Sequence, residues 1–355
     1  MFIGHASFFA LAPLIAILTF AMISLLSPIA RRLHLIDHPG GRKQHAEATP
    51  LIGGPAVFLV FISASLTFIG PTWITFCGLL LVILGVLDDR YNIRAGVKLL
   101  VQIGVATIAV INGDIVMTKV GVLVQDFWQP SYLTYQLLSI FAIVGVINAF
   151  NMIDGIDGLC ASLAGVAIVT LNVAFMVMGE LPPRDFGLTS LLFTSALAGF
   201  LFSNLQLAKG NKSFLGDSGS MLTGFMVGSL SILAGEGNPA IAGSWIPSTV
   251  PLWAAAVPIA DTLSLMIRRM AGGHSPFSPD RTHLHHIIQR VGFSARGALL
   301  IIISESLILS LFGGYIALTI GNEVSFGLFA LYLAIYVTVS AQAAKWVRAA
   351  RQEKS

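Results

Sequence analysis

Long apolar runs recur along almost the whole chain, and nearly all of its charge is confined to the short gaps between them. A run of ~20 mainly apolar residues matches the hydrocarbon core of a bilayer when coiled as a helix. Eleven such runs begin near residues 6, 51, 71, 97, 134, 159, 188, 218, 248, 297 and 325. With 10% charged residues and a mean hydropathy of +0.84, the chain lacks the polar side chains to cover a water-soluble surface. The expected fold is therefore all-α: a polytopic integral membrane protein of about 11 transmembrane helices, with no nucleic acid among its partners.

Lys and Arg resist translocation and collect in short cytoplasmic loops. When alternate connections are assigned to one side, every Lys and Arg falls there except Lys119 and Arg184. A missed or surplus span would mix the two groups, so the N-terminus is expected outside and the C-terminus inside. The first run has no basic residue before it and exceeds the apolar stretch of a secretory signal, which predicts a permanent helix. No internal repeat or soluble insertion interrupts the runs, so residues 1–355 are expected to form a single membrane-embedded domain. Cys77 and Cys160 fall in or beside runs and read as packing residues rather than a disulfide pair.

The polar gaps on the inner side hold the chemistry. Asp88 and Asp89 end the third run, just before Arg90. Neighbouring carboxylates repel unless a proton or cation intervenes, so the pair suits a Mg²⁺ site or a general base; a solvated helix end is the plainer reading. Asn151, Asp154 and Asp157 precede the sixth run, with Gly155 and Gly158 interleaved. Their i, i+3 spacing would place both Asp residues on one face if the stretch is helical, and helix capping is the alternative. Asp217 lies in a Gly216-Asp217-Ser218-Gly219 turn opening the eighth run, where free backbone N–H groups would attract a phosphate. Metal ligation and N-capping are both open for it.

Asp261 lies within the ninth run, which Pro251 and Pro258 are expected to bend. Intramembrane carboxylates usually face a cavity or a partner, so either substrate contact or a pair with Arg268 or Arg269 is expected. The following loop combines Arg281, a fixed cation able to grip phosphate in bidentate fashion, with His283, His285 and His286. That mixture suits pyrophosphate recognition. A solvated basic loop and a zinc site are the competing readings, the latter disfavoured by closely spaced His without Cys. In the first inner loop Lys43 and His45 either fold over a nucleotide or simply belong to the inner-side charge.

In their order along the chain, Asp37 to Gly54, Asp88-Asp89, Asn148 to Gly158, Phe214 to Gly219 and Pro258 to His286 resemble the polyprenyl-phosphate N-acetylhexosamine-1-phosphate transferase family. The resemblance covers nearly the whole chain. From Ser275 through Ser294 it looks like the bacterial members that act on undecaprenyl phosphate and UDP-GlcNAc, because Leu284 interrupts the unbroken His run of the muramoyl-pentapeptide enzymes. It implies transfer of a sugar 1-phosphate from a UDP-N-acetylsugar to undecaprenyl phosphate, releasing UMP with Mg²⁺ or Mn²⁺ as cofactor. The implied location is the bacterial inner membrane with the active site on the cytoplasmic face. Membrane lipids are then partners, and a homodimer is an allowed assembly.

Carried over position by position, the resemblance makes Asp217 the metal ligand with Asn151 near it, Asp88 the base for the lipid phosphate and Asp89 its support. Asp154 and Asp157 would line the nucleotide and metal pocket, Lys43 would reach a phosphate, and Arg281, His283, His285 and His286 would bind pyrophosphate or sugar. Two readings compete with transfer of GlcNAc-1-phosphate. One is the same reaction with another UDP-N-acetylsugar; the other is an ion-coupled secondary transporter, which also uses buried carboxylates and broken helices.

Overall fold

The computed structural model describes residues 5–37, 48–118, 130–207, 212–236, 246–273, 275 and 283–352. These residues form thirteen helices and one two-residue antiparallel pairing. The order is α1 (His5–Arg32), β1 (Ile36–Asp37), β2 (Thr49–Pro50), α2 (Gly53–Phe68), α3 (Trp73–Tyr91), α4 (Ala95–Asn112), α5 (Tyr132–Ile153), α6 (Leu159–Val177) and α7 (Arg184–Asn204). It continues with α8 (Gly216–Glu236), α9 (Val250–Ala254), α10 (Ala256–Ala271), α11 (Leu284–Arg290), α12 (Ala295–Thr319) and α13 (Asn322–Gln352). Eight helices among the described residues (α1, α4 to α8, α12 and α13) are long and apolar enough to cross a membrane. The chain is an all-α polytopic membrane protein.

Burial sorts the helices into a centre and a rim. In α8, 89% of the most apolar window is buried, against 17% in α1 and α13. α8 packs against α3 and α5, with α2 and α6 beside them. The close approaches rest on small residues, as is usual between membrane helices. A Cβ at Gly85 of α3 would stand 2.1 Å from the Ser218 Cα of α8, and one at Gly54 of α2 would stand 2.3 Å from the Gly219 backbone nitrogen. No larger side chain would let these helix ends meet.

Local signals explain where the helices stop and start. Thr72, Ser131 and Ser294 each accept a hydrogen bond from the backbone N–H three residues on, opening α3, α5 and α12. α3 ends at Asn92, whose φ of 51° lies in the left-handed region. The ninth apolar run is broken at Ala255, between α9 and α10. Pro251 and Pro258 lie on either side of the break, and each lacks the N–H that would continue a helical ladder, so the expected bend is present. Cys77 and Cys160 are free and buried.

Candidate active site

The site grows from the ends of α3, α4, α5 and α8. The segment before α8 is pinned to the entry of α2: Phe214 N–H donates to the Pro50 carbonyl at 2.9 Å, and Gly53 and Gly54 N–H groups donate to the Phe214 and Leu215 carbonyls at 2.9 and 3.0 Å. Gly216, with φ of 71°, then turns the chain into α8. Asp89 from α3 meets that turn, accepting from the backbone N–H groups of Asp217 at 2.8 Å and Ser218 at 3.4 Å, and from the Ser218 hydroxyl at 3.2 Å. The N–H groups expected to attract a phosphate are thus held by Asp89. Asp217 does not cap its own helix; Asp89 does.

This leaves the Asp217 carboxylate facing sideways. Its Oδ1 accepts from Asn151 Nδ2 at 3.0 Å, and Asn151 also donates to Ser220 at 2.9 Å. Its Oδ2 lies 3.7 Å from Lys98 Nζ. Lys98, in the first turn of α4, also donates to Asp88 Oδ2 at 2.5 Å. Asp88 Oδ1 accepts from Ile93 N–H at 2.8 Å, so this carboxylate both closes the turn after α3 and pairs with the lysine. The side chain of Asp88 is 1% exposed and that of Asp217 is 39% exposed. Asp217 is therefore the open member of the set.

α5 ends at Ile153, and Asp154 to Gly158 form a turn rather than the helical face that the i, i+3 spacing allowed. Gly158, with φ of 78°, redirects the chain into α6. Asp157 Oδ2 pairs with Lys212 Nζ at 2.6 Å. Gly155 lies under the ring of His285: a Cβ there would stand 2.3 Å from Nε2. The end of α5 therefore meets the carboxylate cluster through Asn151, and the turn that follows it meets the histidine segment through Gly155.

Asp261 of α10 is fully engaged in holding that histidine segment. Its Oδ2 lies 2.9 Å from His283 Nδ1, and its Oδ1 accepts from Leu284 N–H at 3.0 Å and Tyr336 hydroxyl at 3.3 Å. The anticipated pair with Arg268 or Arg269 is replaced by His283; Arg268 donates to the Ser340 carbonyl at 2.7 Å. The His283 and His285 rings stack at 5.6 Å, and His286 lies 4.2 Å from His285. His285 is 2% exposed, and among the described residues neither ring nitrogen has a hydrogen-bond partner. Burial, reinforced by the neighbouring imidazoles of His286 and His283, lowers its pKa to about 3. Its ring is thus neutral at any working pH, with one donor and one acceptor to offer.

The structure brings Asp88, Asp89, Asn151 and Asp217 together in one cluster, and His283, His285 and His286 in another. Asp154, Asp157 and Asp261 stand between or behind them. Lys43, His45 and Arg281 lie outside the described residues. Sequence reasoning counted Lys98 only as inner-side charge, although a lysine one turn inside an apolar helix was a signal. Nothing in the sequence pointed to Tyr336.

Among the described residues no three His, Cys, Asp or Glu side chains converge as a ready cage for a metal ion. An oxygen set built on one open carboxylate with a second beside it fits Mg²⁺, which binds through one or two carboxylates and completes its shell with water and substrate phosphates.

Comparison with known proteins places this geometry in context. The model of glycosyl transferase family 4 matches residues 71–235, a segment that holds Asp88, Asp89, Asn151 and Asp217. The chain is 32% identical to the undecaprenyl-phosphate alpha-N-acetylglucosaminyl 1-phosphate transferase of Pasteurella multocida over 343 residues, 94% of each chain. It is 32% identical to the protein of the same name in Salmonella typhi, covering 85% of this chain and 82% of that one. Its counterpart in Escherichia coli K12 is 31% identical, over 80% and 77% of the respective chains.

Proposed function

This chain belongs to glycosyl transferase family 4, and we propose that it transfers GlcNAc-1-phosphate from UDP-GlcNAc to undecaprenyl phosphate, giving undecaprenyl-pyrophosphate-GlcNAc and UMP. Family membership makes the protein an enzyme and removes the transporter reading. The observation that carries the assignment is the open carboxylate of Asp217, held by Asn151 and flanked by Asp88, in a chain alike over 94% of its length to an enzyme of that name.

The chemistry follows from charge. A phosphate oxygen of the lipid attacks the β-phosphorus of the UDP-sugar, the new P–O bond forms as the bond to the α-phosphate bridge breaks, and UMP departs. Both substrates are anions, so their approach needs cations. A divalent ion, Mg²⁺ or Mn²⁺, neutralises phosphate charge when bound. Asp217 holds it with Asn151 alongside, Asp88 takes the proton of the lipid phosphate, and Asp89 keeps the first turn of α8 in place. His283, His285, His286 and Arg281 bind the pyrophosphate or sugar, Asp154 and Asp157 line the nucleotide pocket, and Lys43 with His45 closes over a phosphate. Asp261 positions His283.

In this reading one membrane-embedded domain spans the bacterial inner membrane eleven times, N-terminus out and C-terminus in, with the active site on the cytoplasmic face. The one-sided distribution of Lys and Arg supports that orientation. The product is the first lipid-linked sugar of a surface glycan. The test is UMP release from UDP-GlcNAc by purified protein, with and without undecaprenyl phosphate and Mg²⁺. Release is expected only when both are present. Faster turnover of another UDP-N-acetylsugar would transfer the assignment to that sugar, and no release with any of them from folded protein would reject the reaction.

A further inference from the structure

The oxygen through which Asp217 would hold a divalent ion is one that Lys98 faces. Both oxygens of Asp89 are taken by the first turn of α8. Asp88 Oδ1 is taken by Ile93 N–H and Asp217 Oδ1 by Asn151. The remaining oxygens are Oδ2 of Asp88 and Oδ2 of Asp217, and Lys98 Nζ lies 2.5 and 3.7 Å from them. Without that ammonium the described cluster would bring together three carboxyl groups, and adjacent carboxylates repel.

We infer that Lys98 is an internal counter-ion for this site: its ammonium bridges Asp88 and Asp217 in the ion-free enzyme, and it gives way when a divalent ion takes Asp217 Oδ2. The inference rests on the assignment of the ion to Asp217. An ammonium and a dication at the same carboxylate oxygen repel strongly in a largely buried setting, so one displaces the other. Lysine suits the exchange because its charge rides on a flexible four-carbon stem, and Lys98 enters from the first turn of α4 with its side chain 22% exposed. Its departure would take the ammonium away from Asp88 Oδ2, so loading the ion and freeing the proposed base are one event. An arginine, with its planar fork, would grip both carboxylates and resist exchange.

The decisive measurement is made on the wild-type full chain in detergent without substrates. Lys98 is labelled with an amine-acetylating reagent and followed by mass spectrometry, with and without Mn²⁺. Labelling should be slow in the ion-free protein and several-fold faster with Mn²⁺, while Lys212, paired with Asp157, keeps its rate. An unchanged or slower rate at Lys98 overturns the inference. In a second measurement, Mn²⁺ binding by electron paramagnetic resonance should be about tenfold tighter in Lys98→Met, which removes the competing charge, and weaker in Lys98→Arg. Looser binding in Lys98→Met would also overturn it. Asp217→Asn separates the two claims. Lost Mn²⁺ binding in that variant, with wild-type Lys98 labelling insensitive to Mn²⁺, rejects the lysine's role alone; unchanged binding rejects the ion assignment and the lysine's role with it.

Discussion

Around Asp217 each carboxylate of the cluster meets an amide, a backbone N–H or an ammonium within the protein, whereas the ring of His285 meets no hydrogen-bonding partner on either nitrogen among the described residues. Both regions adjoin the end of α5, through Asn151 in one case and Gly155 in the other. The carboxylate cluster is built from helix ends locked by close backbone approaches, and each of its carboxyl groups is hydrogen-bonded within the protein. The histidine segment hangs from α10 by Asp261 and presents, in His285, buried ring nitrogens that no described residue bonds. An unpartnered buried polar group is destabilising, so a site keeps one where a ligand supplies the missing contact. The two regions thus divide the work: one holds charge in readiness, the other holds hydrogen-bonding capacity open.

The largest expected effect breaks the first region at its open member. Asp217→Asn keeps the shape and the Asn151 contact but removes the charge. UMP release should fall by about a hundredfold or more, the scale of removing one preorganised electrostatic contact, with the Mg²⁺ concentration needed for half-maximal rate raised. Turnover within a fewfold of wild type would remove Asp217 from the ion site.

Asp89→Ala probes the same cluster through architecture. It strips partners from two backbone N–H groups at the buried start of α8, and should lower stability by about 1–3 kcal/mol, the range for orphaned buried donors. Thermal unfolding in detergent reads this directly. A variant as stable as wild type but inactive would mean that Asp89 touches substrate instead of holding α8.

Asp261→Asn sharpens the contrast from the other side. The amide can still accept from Leu284 N–H, but turning its NH₂ towards His283 opposes the Nδ1–H, so the ring must adopt the other tautomer. Removing a partner that orients a functional imidazole typically costs about 10–100-fold in affinity or activity. The loss is expected in kcat/KM for UDP-GlcNAc with protein yield maintained. Lost yield with unchanged kinetics in the surviving protein would make Asp261 a folding element only.

Much of this architecture is legible in the chain because hydrophobic run length is a local property. The runs expected near 51, 71, 134 and 218 appear as helices beginning at Gly53, Trp73, Tyr132 and Gly216, and the prolines foretell the break at Ala255. The grouping of Asp88, Asn151 and Asp217 is anticipated by their shared position at ends of apolar runs expected on one side. Partnership is a different matter, since it depends on which helix ends approach. Asp89 caps a helix 128 residues away, Lys98 reaches across to α8, and Tyr336 meets Asp261 from a helix 75 residues on. No spacing rule links such residues. The stretch from Asp154 to Asp157 misleads for a local reason: its i, i+3 pattern fits a helix, but the left-handed conformation at Gly158 makes it a turn.

The smallest expected effect comes from His285 itself. Its folded pKa of about 3 lies below the ordinary histidine value of ~6.5. Between those values the unfolded chain holds the proton and the folded chain does not, so stability is full above about pH 6.5 and declines as pH falls, by at most about 1.4 kcal/mol per unit. His285→Phe keeps a ring against Gly155 and removes the titration. Comparing thermal unfolding in detergent at pH 7.5 and 5.5, the wild type should lose about 1 kcal/mol more than the variant. Parallel losses would mean that the His285 ring takes up its proton in the folded protein as readily as in the unfolded one. The imidazole would then be solvated or partnered, and the contrast between a satisfied carboxylate cluster and an unsatisfied histidine segment would fail at its most buried residue.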